Sequence, residues 1–167
     1  MKRLVVLLAL VLAQVLVLTG CSSSGDAQDD EPDRLPDVTL QPLSAGEPVE
    51  LSSLRGPLVV NLWASWCAPC RRELPQYQAF AEKYAGRVDV LGVDFQETRP
   101  AAARRLARVT GVDYPLLVDP DGRLRAVGLP KLILVDEDGT VAHEEYVEIE
   151  SLAQLEQLVE KHLGVAS

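Results

Sequence analysis

The stretch Leu58-Val59-Val60-Asn61-Leu62-Trp63-Ala64-Ser65-Trp66-Cys67-Ala68-Pro69-Cys70-Arg71-Arg72-Glu73-Leu74-Pro75 decides how the chain folds. Its first six residues are apolar apart from Asn61, with β-branched Val59 and Val60 among them, the signature of a strand buried on both faces. From about Ala68 the period changes: Leu74, Tyr77, Ala81 and Tyr84 mark one face of a helix. Two cysteines with two residues between them therefore fall in the first turn of a helix that leaves a buried strand. A helix N-terminus carries partial positive charge and unpaired N–H groups, which stabilise a thiolate. The spacing lets the second sulfur reach the first and close a small-ring disulfide. Pro69 suits an early helical position because the donor it lacks has no partner there. Pro75 lies inside the helix and should kink it.

Outward from this stretch, strand and helix signals alternate. Val38 to Leu40 and Val49 to Leu51 flank a Pro- and Gly-containing segment and fit a hairpin. Val88 to Val93 reads as a strand, and Pro100 to about Thr110 as a helix closed by Gly111. Leu116 to Val118 is a short strand ending at Asp119-Pro120-Asp121-Gly122. Leu132 to Val135 and Val141 to Tyr146 flank Asp138-Gly139, a strong hairpin signal. A last helix starts at Ser151, an N-cap residue, and runs through Leu152, Leu155, Leu158 and Val159 to about Leu163. Helices between the early strands, then a hairpin and a helix, give an α/β fold around a mixed sheet.

The N-terminus has the anatomy of an export signal. Lys2 and Arg3 precede an apolar run from Leu4 to Leu18, broken only by Gln14. A membrane span needs ~20 apolar residues, so the run has the length of a signal-peptide core instead. It ends in Leu18-Thr19-Gly20-Cys21, which resembles the lipobox of bacterial lipoproteins. That resemblance implies cleavage before Cys21 and acylation of its thiol, so the mature protein would be extracytoplasmic and held to a bacterial membrane by lipid. Residues 1–20 are then the signal peptide. Residues 21–35 (Cys21, then SSSGDAQDDEPDRL) are acidic and nearly free of apolar side chains, an acidic flexible tether. The folded domain covers 36–163. With Cys21 acylated, Cys67 and Cys70 are left to pair with each other.

Charge narrows the choice of partners. The chain has 25 acidic against 16 basic side chains, a net charge of −9. Removing residues 1–20 takes away Lys2 and Arg3 and no acid, leaving −11. Such a surface excludes nucleic acid as a partner, because binding phosphates requires clustered Lys and Arg. It also leaves the acyl chains to do the anchoring.

Asn61 to Pro75, with the WCxPC core at Trp66–Cys70, resembles the thioredoxin superfamily, and most closely its extracytoplasmic thiol–disulfide oxidoreductases of the TlpA/ResA type. Gly128-Leu129-Pro130 before a strand, Asp138-Gly139 and the closing helix match further along. The resemblance covers about Leu35 to Leu163. It implies a thioredoxin-like fold with a mixed central sheet flanked by helices, extended by the N-terminal hairpin. It implies that Cys67 is the exposed nucleophile, Cys70 the resolving thiol and Pro130 a cis-proline beside the dithiol. Leu129 would offer its backbone to an extended client segment, with Trp66, Ala68 and Pro69 on the contact surface. Thioredoxin has a buried aspartate where this chain has Asn61, so Glu73 becomes the candidate for handling the Cys70 proton. The implied partners are protein thiols and disulfides, with a membrane thiol as electron donor. The redox centre is the cysteine pair itself, with no cofactor or metal. Cytochrome c maturation is the activity of this type that fits a reductant.

Other readings of these residues stay open. A CxxC pair is often half of a zinc site, although only His143 and His162 could complete one and neither has ligand-like spacing. A thiol peroxidase shares the fold, but its usual motif, with threonine upstream of the cysteine, is missing. A copper chaperone using both thiols would want a third soft or imidazole ligand nearby. Glu73 and Arg71–Arg72 read equally as solvated helix residues, the arginines with some capacity to steer acidic partners. Two departures from the family pattern bear on the client surface. Lys131 replaces a small polar residue after Pro130 and would face solvent near the dithiol. The stretch between Gly122 and Pro130 is short, leaving room for a turn rather than a helix.

Overall fold

The computed structural model describes residues 33–166. In chain order, its elements are β1 (Thr39–Pro42), β2 (Val49–Glu50), a 3-10 turn (Leu51–Ser53), β3 (Leu58–Trp63), α1 (Ala68–Lys83) and β4 (Asp89–Phe95). Then come α2 (Pro100–Thr110), β5 (Leu116–Asp119), β6 (Lys131–Val135), β7 (Val141–Glu145) and α3 (Leu152–Leu163). Among the described residues the strands form one sheet of order β2-β1-β5-β4-β3-β6-β7. Cys21 and the signal segment lie outside the described residues, as does most of the tether.

The sheet is mixed for a reason visible in the chain. Strands β3, β4 and β5 run parallel, because each is joined to the next by a helix that returns the chain to the same end. The hairpins β1–β2 and β6–β7 are antiparallel, and they attach antiparallel through β1 to β5 and through β6 to β3. The Asp138-Gly139 turn closes the second hairpin with Gly139 at φ +84°, a backbone region that suits glycine. Every residue of β3 is buried, as a central strand covered on both faces requires.

Alternation along the strands separates two apolar layers. Val59, Leu132 and Leu134 face Tyr77, Phe80 and Tyr84 of α1 and Leu155 and Val159 of α3. Leu58, Val60, Leu62, Val93 and Ile133 face the other way, against Leu35, Leu40, Leu51 and Leu124. No helix covers that second face among the described residues; turns and bends occupy 120–130, in keeping with the short segment there. Leu35, at the end of the tether assigned from composition, is buried in this layer, and Arg34 bridges Thr140. One apolar side chain and one backbone bridge thus seat these residues on the sheet.

A third cluster lies where β3 ends and α1 begins. Trp63, Ala64, Cys67, Cys70 and Leu74 pack with Leu43 and with Ala103 and Ala107 of α2. Gly92 on β4 makes room for it: a Cβ there would come within 3.1 Å of the Trp63 indole nitrogen. Trp63 is fully buried, and truncating so large a buried aromatic to alanine costs about 3–5 kcal/mol.

Candidate active site

The dithiol occupies the first turn of α1. Cys67 is the N-cap, with extended backbone (φ −80°, ψ 110°), and its Sγ accepts a hydrogen bond from the Cys70 N–H at 3.2 Å. The sulfur thereby satisfies one of the donors that every helix N-terminus leaves free. The two sulfurs are bonded as a disulfide, with Cα atoms 5.3 Å apart. Cys70 is fully buried and Cys67 is 5 % exposed. Cys67 is therefore less open than an exposed nucleophile, because Trp63, Ala64 and Leu74 crowd it in the oxidised state. The asymmetry between the two sulfurs persists. Beside them Trp66 is 48 % exposed, Ala68 is exposed and Pro69 is half-buried.

The Leu129–Pro130 peptide is cis. Pro130 is buried, and half-buried Leu129 packs against the cluster that contains both cysteines. The loop before it is braced from β7: the Tyr146 Oη accepts from the Val127 N–H at 3.1 Å. Lys131, expected to face solvent near the dithiol, does not. It is buried, its Nζ lies 2.9 Å from Glu144 and 5.4 Å from the centre of the Tyr146 ring. Its place in β6 fixes this: Lys131 is the first residue of a strand whose alternate residue Ile133 faces the layer away from α1. An ammonium buried there needs an anion, and Glu144 of the neighbouring strand supplies it.

Glu73 is fully buried on the inner face of α1, one turn beyond Cys70. Its Oε2 accepts the Ile149 N–H at 3.1 Å, and its Oε1 has no partner. Loss of hydration pushes this carboxyl up to about 8; the Ile149 hydrogen bond opposes the rise and the nearby Glu148 charge adds to it. Glu73 is thus not a solvated helix residue. At neutral pH it holds a proton, in a polar pocket of the interior with Asn61, Tyr77 and Tyr114. Burial first, and then the Glu73 charge, push the Tyr77 hydroxyl far up, and Asn61 lies against Tyr114.

Two further acids escaped the sequence analysis. Glu97 reaches back from the end of β4: Oε2 accepts the Ser65 N–H at 2.9 Å and Oε1 the Arg99 N–H at 2.7 Å. Burial raises its pKa, but the Ser65 side chain, these backbone hydrogen bonds and the Arg99 charge outweigh that, and the carboxyl stays below its usual range. It pins the turn before Cys67 to the start of α2. Asp94, the penultimate residue of the same strand, is buried with Oδ1 unpartnered, and burial together with the Glu97 charge pushes it up to about 7. The signal was available: both acids end the strand parallel to β3, and sites in such sheets gather at the carboxyl ends of the strands. His143 and His162, the residues considered as zinc ligands, stack on one another with ring centres 3.8 Å apart, and His143 pairs with Glu145.

A parallel-centred sheet, a cysteine pair capping the first helix and a cis-proline loop packed beside it define a thioredoxin-like thiol–disulfide oxidoreductase. Residues 32–144 match the AhpC/TSA family, and the chain belongs to that family. It is 32% identical over 117 residues to a thioredoxin-like protein, YneN, of Bacillus subtilis, covering 66% of this chain and 68% of the relative. It is 31% identical over 122 residues to the thiol-disulfide oxidoreductase ResA of Bacillus thuringiensis, covering 70% of this chain and 69% of the relative. A solved thiol:disulfide interchange protein of Chlorobium tepidum shares the fold with a TM-score of 0.68 at 24% identity, over 81% of this chain and 99% of that one.

Proposed function

We propose that the protein works as a reductant outside the cytoplasm, held to a bacterial membrane by lipid on Cys21. Its clients are protein disulfides, for example those of cytochrome c apoproteins awaiting haem, and its electrons come from a membrane thiol donor. The observation that carries this reading is a disulfide at a helix N-terminus with a proton-bearing Glu73 one turn behind it.

The chemistry balances as two successive exchanges. The Cys67 thiolate attacks one sulfur of the client disulfide, forming a mixed disulfide and releasing one client thiolate, which takes up a proton. In the fraction of molecules whose Glu73 is ionised, a fraction that grows as the pH nears 8, Cys70 passes its proton to that carboxylate and attacks the Cys67 sulfur. The second client thiol leaves, and the Cys67–Cys70 disulfide forms. Two electrons pass to the client, and a donor dithiol restores the pair by the same steps in reverse. Ala68 and Pro69 shape the turn that presents Cys67, while Trp66, Leu129 and Pro130 border the approach of the client.

The reduction potential of the Cys67–Cys70 pair tests the direction. A value near that of thioredoxin, about −270 mV, supports a reductant, whereas one near −120 mV would make the protein an oxidant. Anchoring is tested separately: Cys21→Ser should leave the protein unacylated and free of the membrane fraction, and acylation as in the parent would sink that part of the reading.

A further inference from the structure

The chain is acidic overall, yet the ground on one flank of the dithiol is basic. A groove of about 310 Å³ runs between the active-site turn and α2. Arg71, Arg99 and Arg105 line it, over an apolar floor of Ala102, Leu106 and Val109. Ser65, two residues before Cys67, and Arg71, directly after Cys70, both line it, so the groove flanks the active-site turn.

Most of the charge in this groove is open to an incoming anion. All three arginines are exposed, and none forms an ion pair among the described residues. Glu97 is the acid beside Arg99 and partly offsets that one charge, while its two oxygens are held by the backbone N–H groups of Ser65 and Arg99. Helix α2 itself carries Arg104, Arg105 and Arg108 and no acid. Arg99 is its N-cap and makes no side-chain capping bond, so a cation stands at the helix end where the dipole disfavours it. An anion brought to that point meets the arginines and the helix end together. The floor adds a second mark of a contact surface, since Val109 is 70 % exposed. A lone exposed valine is ordinary; one set among unpaired arginines at the mouth of a redox site fits a mixed acidic and apolar partner.

We propose that this groove docks the client, and that it selects a segment with Asp or Glu side chains and one apolar side chain next to the disulfide. The carboxylates lie on Arg71, Arg99 and Arg105 while the apolar group covers Leu106 and Val109. The inference rests on the reading above only for the direction of exchange. Docking of the acidic segment is a separate claim.

The test uses the whole mature protein and its Arg99→Glu/Arg105→Glu variant, with Arg71 left intact because it adjoins Cys70. Substrates are three peptides with the same disulfide, one Glu-rich, one uncharged and one Lys-rich, together with bis(2-hydroxyethyl) disulfide. At low ionic strength the wild type should reduce the Glu-rich peptide with kcat/KM about tenfold above the uncharged one, an advantage that fades as salt screens it. The double variant should lose that preference, favour the Lys-rich peptide and keep its rate on bis(2-hydroxyethyl) disulfide. Equal rates on the Glu-rich and uncharged peptides, or an equal loss on the small disulfide, would overturn the proposal. Fluorescence anisotropy of the labelled Glu-rich peptide on the oxidised protein reads docking without turnover. Tight, Arg99- and Arg105-dependent binding by a protein that reduces nothing would uphold the groove and sink the reductant; turnover without such binding would do the reverse.

Discussion

Ile149 donates its backbone N–H to the Glu73 carboxyl across 3.1 Å, tying the segment that leads into α3 to the helix that carries the dithiol. The contact satisfies one carboxyl oxygen and leaves the other unpartnered in the interior. A carboxyl in that position keeps its proton through neutral pH, and it can take a second role only when it gives that proton up. Its position one turn after Cys70 makes the exchange of a proton with the resolving thiol the natural use.

Glu73→Gln should therefore slow thiol–disulfide exchange while leaving the fold and the disulfide in place, since the glutamine oxygen can still accept from Ile149. The loss should be largest near pH 8, where the native carboxylate is about half ionised. It should shrink toward pH 6, where Glu73 is protonated, and above pH 9, where Cys70 ionises unaided. General-base assistance is typically worth 10²–10⁴-fold, and a thiol needs less help than most groups, so about tenfold is expected. Stopped-flow exchange from pH 6 to 9 checks this; a variant that tracks the wild type throughout leaves Glu73 with a packing role only.

Stability should fall as the pH rises through neutrality. Glu73 and Asp94 have native pKa values of about 8 and about 7, above their ordinary 4.5 and 3.8. Below about pH 3 both are protonated whether folded or unfolded and cost nothing. Between those ordinary values and the native ones the unfolded chain loses protons that the folded chain retains, so unfolding becomes easier with each pH unit. Glu73→Gln and Asp94→Asn should each stabilise the protein at pH 8 relative to wild type, by at most a few kcal/mol, with the advantage vanishing near pH 3. Urea unfolding at the two pH values measures it.

Cys70→Ser should accumulate mixed disulfides on Cys67, visible as reducible adducts on non-reducing gels, whereas Cys67→Ser should not. The asymmetry follows from the remaining exposure of Cys67 and the complete burial of Cys70. Alkylation of the reduced protein at neutral pH provides the check, because equal rates for the two thiols would remove the basis for the assignment.

Reduction should brighten tryptophan emission, since disulfides quench indoles nearby. Both tryptophans are candidates, but they sit differently: Trp66 is half open to water, and Trp63 is buried in the cluster that holds both sulfurs. The recovered emission should therefore be mainly blue-shifted and should survive Trp66→Phe. A redox signal that disappears with Trp66 alone contradicts this geometry.

The strands and helices were legible because their periods are clean. The apolar run of β3, the hairpin at Asp138-Gly139, the Ser151 cap and the short segment before Pro130 can all be read from local chemistry. What was not legible depended on partners distant in sequence. Lys131 next to Pro130 looks like a surface lysine until β7 is laid beside β6, which places Glu144 near its ammonium. Asp94 lies inside an apolar run, VLGVDF, and its burial follows once β4 is paired in register with Trp63. Glu97 holds the Cys67 turn through a backbone N–H, and no side-chain motif records such a bond. Leu35 joins the core because the sheet face without a helix needs covering, a demand that tether composition does not reveal.

That the sulfur proposed as the nucleophile is also the helix cap affects how inactive variants should be chosen. A Cys67→Ala chain loses the reaction and the acceptor for the Cys70 N–H together, and an uncapped N-terminus typically costs about 1 kcal/mol. Serine is among the preferred capping residues, so Cys67→Ser removes the chemistry while the first turn of α1 keeps its acceptor. A phenotype shared by both variants reports on electron transfer; one confined to the alanine variant reports on a frayed helix.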